Sequence, residues 1–562
     1  MLGNNLKEKL LKKSSNTFLL IILTLIISII TLSLINIQSH LGIYYWDIFV
    51  YLGNALRFAG MGVGDQMLLS PFLPFLTSLI FRAGYVWENA VFILSGILFV
   101  LGIIGLYLLL NQRFNSIFSF AGSIFFASLS LIIPWAVSGA TDVPAISLSI
   151  WAMLFTILAV KSDGKYYYLA FPLAALAFLT RYTSGFMVIL ILFYIFINKD
   201  HLKQAKNILI GILLAIVISC PFLVIFYLVS GDPFPFVSQV SNTATGAVTT
   251  ANPGYNLDVL YYLKNLPNYI SNTAPESYGA ILNTTGPATI VSYIILIFIA
   301  AGITIYLYNI IKKVKNSKNW LNRNNGLKLV LLIILSSILI FSYAKISYLF
   351  SEILLLIIAF LIYKLIKDYQ DKADLDVLFF VWFSMYFLFL SYHAVKVDRY
   401  ILTALPALAY FLALALNCLA NKIPYKRYIK NGDSRTNYSS VILSLFIVCI
   451  MLFSSLSFIN EMPRSYYWID NEEAAADFLI SYDPDYQSKV IVADRGPAFS
   501  WYLKKRVYTR IPRNFKTNQD FYQELDNLNA DYYIDVLKNP KLEIPGYVKI
   551  KTIGIIAIYQ KI

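Results

Sequence analysis

Apolar runs of about 17–22 residues recur from Thr17 almost to Asn460, each long enough to cross a hydrocarbon core of ~30 Å. A chain that repeats this pattern so often is a multi-pass α-helical membrane protein. The composition agrees. Hydrophobic residues make up 58% and charged residues 14% of 562, and mean hydropathy is +0.65, far from a soluble globular chain. The pattern predicts spans over 17–37, 89–110, 117–134, 144–160, 166–180, 184–198, 207–229, 289–309, 328–345, 347–366, 375–392, 400–420 and 438–459, about thirteen in all. The first run has no small-residue cleavage site after it and is too long for a signal-peptide core, so it reads as a retained span. An odd number of spans places the termini on opposite sides.

Charge orients the spans. The N-terminus and the alternate loops beginning at 111, 161, 199, 310, 367 and 421, with the adjoining span ends, hold 24 Lys and Arg against 8 Asp and Glu. The other side holds 7 against 9, and the tail from Glu461 holds 14 against 14. The excess of Lys and Arg marks the cytoplasmic side, so the N-terminus is expected in the cytoplasm, the tail outside, and the chain in the plasma membrane. The same topology accounts for the basic net charge without nucleic acid, which is excluded as a partner. Cys220, Cys418 and Cys449 fall inside predicted spans, and His40, His201 and His393 are scattered. No Cys/His spacing suits a metal, and the tail must fold without a disulfide.

Two long outer loops and the tail complete the plan. Residues 38–88 carry apolar stretches too short to span, Ile48 to Phe58 and Leu68 to Phe81, which suit helices lying in the interface. Residues 230–288 are rich in polar residues, with aromatics at Phe234, Phe236, Tyr255, Tyr261, Tyr262, Tyr269 and Tyr278 and a glycosylation sequon at Asn283. After the membrane domain (1–460), residues 461–562 read as a small α/β domain. Its helices are expected at Asn471 to Ser481, Pro497 to Lys505 and Gln519 to Leu528, and its strands at Lys489 to Val492, Tyr532 to Ile534 and Tyr547 to Tyr559. No glycine-rich phosphate loop follows a strand, so no cofactor is assigned to it. This domain is expected to be dispensable for folding of the membrane part.

On the outer side, Asp47, Glu88, Asp142, Arg181, Glu352, Lys396 and Arg399 lie at span ends or within about two turns of them. Each has an ordinary reading. Asp47, in Tyr45-Trp46-Asp47, is compatible with a solvated acid in an aromatic belt, Glu88 with a helix N-terminal acid, and Glu352 with a partner for Lys345. Arg181 is harder to explain, because no acid lies near it in sequence. Taken together, acids beside bases at one depth suit the handling of an anionic lipid headgroup and the deprotonation of a hydroxyl.

Here the sequence resembles the C-type membrane glycosyltransferases (GT-C fold), in particular the branch with protein O-mannosyltransferases and the aminoarabinose transferase of lipid A. The resemblance rests on Trp46-Asp47 with Tyr51, on Thr141-Asp142-Val143-Pro144, and on His393-Ala394-Val395-Lys396-Val397-Asp398-Arg399-Tyr400 with Pro406. Pro71 and Leu179-Thr180-Arg181 also fit. It spans residues 17–420. The sequence departs from the relatives in that Asp47 is followed by Ile48 rather than a second acid, the arginine often found a few residues after the Glu88-like acid is absent, and neither the Asp-x-Asp pair nor the metal-site pattern of oligosaccharyltransferases appears. No required divalent ion is therefore expected.

The resemblance implies transfer of a sugar from a polyprenyl or dolichyl monophosphate donor to an extracytoplasmic acceptor (protein, glycan or lipid), with inversion. It assigns Asp47 as general base, Asp142 as an orienting acid, and Arg181, Lys396 and Arg399 as donor-phosphate ligands. Tyr51, Glu88, His393 and Tyr400 are supporting residues. The alternative is a transporter or flippase for a lipid-linked anionic glycan, against which no internal repeat is apparent.

Overall fold

The computed structural model describes residues 2–62, 69–198, 204–237, 255–275, 286–317, 323–343, 345–422, 428–431, 434–536 and 543–562, with side chains from 16 onward and outside 428–437. His201, Tyr278 and the sequon at Asn283 lie outside the described residues. Among the described residues ten helices are long and apolar enough to cross a membrane: Asn16–Leu41, Asn89–Leu110, Asp142–Lys161, Ala205–Ser230, Ile290–Lys315, Arg323–Ser342, Tyr348–Ile366, Ala373–Tyr392, Asp398–Ala420 and Tyr438–Glu461. Each coincides with an expected span.

The other three expected spans are helices of 12, 14 and 12 residues, Ser116–Ala127, Tyr167–Thr180 and Phe186–Ile197. At 1.5 Å per residue they reach only about 18–21 Å. The expected 117–134 span stops early for an identifiable reason. Residues 128–141 are buried yet not α-helical, apart from a 3-10 turn at Ile133–Trp135 that holds Pro134. Their backbone is satisfied from elsewhere: Ser130 N and Leu131 N donate to the carbonyls of Ile270 and Tyr269, at 3.2 and 3.3 Å. An apolar run can be buried without being a helix wherever another segment supplies its hydrogen bonds.

The interfacial stretches form the helices Trp46–Phe58 and Phe72–Arg82. At the end of the bundle away from them, Asp376 ties four segments together. It takes a two-pronged bond from Arg113, at 2.9 and 3.2 Å, and bonds from the hydroxyls of Tyr306 and Tyr410. A short antiparallel hairpin, Tyr428–Asn431 with Ser434–Asn437, precedes the last span.

The tail is an α/β domain with a mixed five-stranded sheet. Strand order is Tyr508–Thr509, Ile491–Ala493, Tyr532–Asp535, Ile556–Lys561 and Tyr547–Ile553, parallel across the first three and antiparallel beyond. The expected single run from Tyr547 to Tyr559 is a hairpin, turned at Gly554, whose φ of +55° lies in the left-handed region. Helix Tyr467–Tyr482 buries Ala475, Ala476 and Leu479 against one sheet face, and helix Asn518–Asn527 buries Phe521 and Leu525 against the other. Thr517 and Asp520 form a capping box that starts the latter helix.

The domain is not a detached appendage. Trp501 stacks on Phe81 and Tyr502 meets Phe49 edge-on. Arg495, ion-paired to Glu472 at 2.6 Å, donates to the Tyr44 carbonyl at 3.0 Å. These contacts clamp the chain just before Asp47. The tail and the membrane part share an apolar seam along these contacts.

Candidate active site

Four charged side chains, 352 residues apart at the extremes, meet at the tail side of the bundle. Asp47 sits in the first turn of helix Trp46–Phe58, where the helix dipole favours a negative charge. Asp142 opens helix Asp142–Lys161. Arg181 follows helix Tyr167–Thr180 in an extended conformation. Arg399 lies in the 3-10 turn Asp398–Ala404 that begins its span.

Arg399 reaches Asp47 Oδ2 at 2.8 Å with one terminal nitrogen and comes to 3.8 Å of Asp142 Oδ2 with the other. Arg181 reaches Asp142 Oδ1 at 2.9 Å. The order is therefore Asp47, Arg399, Asp142, Arg181. Asp142 is closed off, with its side chain 1% exposed, whereas Asp47 is 29% exposed. A hydroxyl from outside can reach Asp47 and cannot reach Asp142.

Aromatic rings hold the guanidinium groups. Arg399 lies 4.2 Å from the Tyr45 ring centroid and 5.1 Å from that of Trp135, and Arg181 lies 5.3 Å from that of Tyr400. Such stacking fixes a planar cation while leaving its edge free. The Nε atoms of both arginines are buried and make no hydrogen bond. Buried donors are normally satisfied, and these two N–H groups have no partner among the described residues.

The supporting residues divide. Tyr51 contacts Thr141 through its hydroxyl at 3.3 Å, linking the Asp47 helix to the segment entering Asp142. Burial, the largest influence, raises the Tyr51 phenol and pushes that of Tyr45 up to about 12, so both remain protonated donors at neutral pH. His393 packs edge-on to Tyr400 and pairs its Nδ1 with the Val395 carbonyl at 2.7 Å. Burial lowers its pKa, leaving a neutral ring.

Lys396, expected as a phosphate ligand, is placed otherwise. It is 4% exposed, and its ammonium donates to the carbonyls of Leu390, Ser391 and His393 at 2.8, 2.7 and 2.6 Å. All three protons are used to cap the end of helix Ala373–Tyr392. Burial brings it down to about 8, opposed by Asp258. Replacing Lys396 with Met should cost roughly 1–3 kcal/mol through unsatisfied carbonyls, seen as a lower melting temperature in detergent, with donor affinity kept in the folded fraction. Unchanged melting together with lost donor affinity would place the ammonium on the phosphate after all.

Glu88 sits at the N-cap of helix Asn89–Leu110, in line with its reading as a helix N-terminal acid. It faces the tail, where its charge opposes the burial that lowers Lys504 to about 8, and it joins none of the four central groups. Glu352 forms no ion pair with Lys345. Its two buried carboxyl oxygens have no hydrogen-bond partner.

Sequence reasoning missed Tyr45, Trp135 and Asp398. Asp398 accepts hydrogen bonds from Tyr261 at 2.9 Å and Tyr269 at 2.8 Å, tying the described part of the 230–288 loop to the turn that carries Arg399. The clustered loop tyrosines were the available signal. Among the described residues no group of three His, Cys, Asp or Glu side chains is placed to hold a metal ion.

Residues 69–225 match the family model of dolichyl-phosphate-mannose-protein mannosyltransferase. The structure is similar to that of ArnT from Cupriavidus metallidurans bound to undecaprenyl phosphate, at 12% identity and a TM-score of 0.53, covering 97% of this chain and 98% of that one. It is also similar to the oligosaccharyltransferase of Archaeoglobus fulgidus, at 13% identity and a TM-score of 0.51, covering 92% of this chain and 68% of that one. No curated protein matches the chain by sequence.

Proposed function

We propose that this chain, which has the GT-C fold, transfers a sugar from a polyprenyl or dolichyl monophosphate to an acceptor hydroxyl outside the cytoplasm, inverting the anomeric centre. The observation that carries this reading is the Asp47–Arg399–Asp142–Arg181 chain, with its unspent buried guanidinium N–H groups. Bound undecaprenyl phosphate in the similar ArnT structure and the dolichyl-phosphate-mannose family model support a lipid-phosphate donor.

The surroundings suit such a donor. Phe178, Tyr182 and Phe236 pack with ring centroids 5.0–5.6 Å apart next to Arg181, and Phe234 extends the cluster. This aromatic wall offers the prenyl chain an apolar path that ends at the guanidinium groups.

The acceptor oxygen bonds to the anomeric carbon as Asp47 takes its proton, and the bond from that carbon to the phosphate oxygen breaks. The electron pair leaves with the prenyl phosphate, whose charge grows in the transition state. Arg399 and Arg181 stabilise that charge where it develops. Arg399 holds Asp47 aimed before the donor arrives. As phosphate draws the guanidinium towards itself, the Asp47 oxygen is released to act as base. Asp142 is the fixed post that keeps both arginines in register. No divalent ion takes part in this scheme, and the plasma membrane, with the site on its outer face, is the proposed location.

The test is transfer from synthetic prenyl-phosphate sugars to hydroxyl acceptors by the purified full chain in nanodiscs. Product with inverted configuration is the expected result. Absence of transfer with every donor, alongside movement of a labelled lipid-linked sugar across vesicles, would replace the enzyme by a transporter.

A further inference from the structure

A second polar site lies at the other end of the bundle. Between the ends of helices Ile290–Lys315 and Asp398–Ala420 is a cavity of about 430 Å³, lined by Arg113, Lys312, Lys313 and Lys422, and by Asn417 and Asn421 among other amides. Arg399 and Cys418 lie on one continuous segment, the second in this cavity's wall. Nineteen residues of mixed 3-10 and α-helix put about 30 Å between them. The cavity is thus a membrane thickness away from the candidate active site.

Basic residues at helix ends have two ordinary explanations, topology and the helix dipole. Magnitudes separate them from a binding site. Asp376 neutralises Arg113, which leaves three lysines. Two helix C-termini supply roughly half a negative charge each, so about two positive charges stay unbalanced. Lys313 donates to the Tyr369 carbonyl and Lys422 rests over the Tyr308 ring, while Lys312 makes no hydrogen bond or ion pair among the described residues. Among the described residues no carboxylate lines the cavity. Dipole-neutralising lysines would serve equally well splayed on a convex surface. These converge on a concavity of ligand size, beside amides at i and i+4 on one helix face.

We propose that this cavity binds one phosphate-bearing anion, with Lys312 and Lys422 on the phosphate and Asn417 and Asn421 on neighbouring oxygens. The chemistry is shared by an anionic phospholipid headgroup of the adjoining leaflet and a soluble phosphate compound. Long lysine stems at the membrane boundary suit the headgroup, since they place ammonium groups at phosphate depth.

The experiment compares full-length protein in phosphatidylcholine nanodiscs, with and without phosphatidylglycerol, and in phosphatidylcholine with inorganic phosphate. Retained lipid is counted by native mass spectrometry, and melting temperature is followed in each. One phosphatidylglycerol should be retained and should raise the melting temperature. In K312Q/K422Q the affinity should fall roughly thirtyfold, at about 1 kcal/mol per lysine and 1.4 kcal/mol per tenfold, and K312R/K422R should keep it. An equal, lysine-dependent effect of inorganic phosphate upholds the site and assigns it to a soluble anion. Equal gains for wild type and the Gln pair with both probes overturn it. Should the Gln pair not fold, K312Q alone decides: Lys312 is exposed and holds no other group among the described residues, and unchanged lipid retention there is equally fatal.

Discussion

Asp47→Asn protein should transfer sugar ~10²–10⁴-fold more slowly than wild type, because it keeps the side-chain volume and loses the base. Donor affinity should not fall. The Asp47 carboxylate holds one terminal nitrogen of Arg399 at 2.8 Å, and the amide releases that guanidinium to the phosphate. Asp47 is the acid of the cluster that a hydroxyl can approach, as the exposure of 29% against 1% for Asp142 shows. Turnover and donor affinity are to be measured separately, with a synthetic prenyl-phosphate sugar. Near-normal turnover would remove Asp47 as the base.

Arg399→Ala should do something different, lowering donor affinity and turnover together. A charge-assisted bond to phosphate contributes roughly 1.5–3 kcal/mol in the ground state, about 10–150-fold in affinity. Further loss in turnover is expected, because the leaving phosphate gains charge in the transition state. The change also strands Asp142 on Arg181 alone, and breaking a buried pair commonly costs about 3–5 kcal/mol, so melting temperature should fall as well. Arg399→Lys separates the two effects. It restores a charge but not the fork that spans Asp47 and Asp142, so stability should recover more than transfer. Unaltered donor affinity in folded Arg399→Ala protein would reduce the arginine to a structural strut.

How much of this was legible beforehand depends on what kind of information each feature carries. The ten long helices follow from apolar runs, because a lipid core rewards length and penalises exposed backbone. Helices Trp46–Phe58 and Phe72–Arg82 follow from runs too short to span, interrupted by Pro71 and Pro74. Asp47, Asp142, Arg181 and Arg399 could be named as one group because sequence fixes how far along a helix a residue sits, and therefore its depth. Apolarity reports burial, however, and not conformation. The 117–134 run reads as one span, yet the helix ends at Ala127, and beyond it the carbonyls of Tyr269 and Ile270 accept backbone N–H groups that a helix would have satisfied itself.

Depth alone also fails to say which way a charged side chain turns. Lys396 and Arg399 are three residues apart at the same level. One donates to three carbonyls at the end of the preceding helix, and the other bridges to Asp47, 352 residues away. Glu88 and Asp47 share a loop, but Glu88 faces the tail. These choices depend on which helices become neighbours, and hydrogen bonds and ion pairs are directional and short-ranged. The sequence by itself determined the membrane class, the positions of the long helices and the pool of charged residues at one depth. Tertiary packing alone decided which of them meet, because a partner hundreds of residues distant leaves no local trace in the chain.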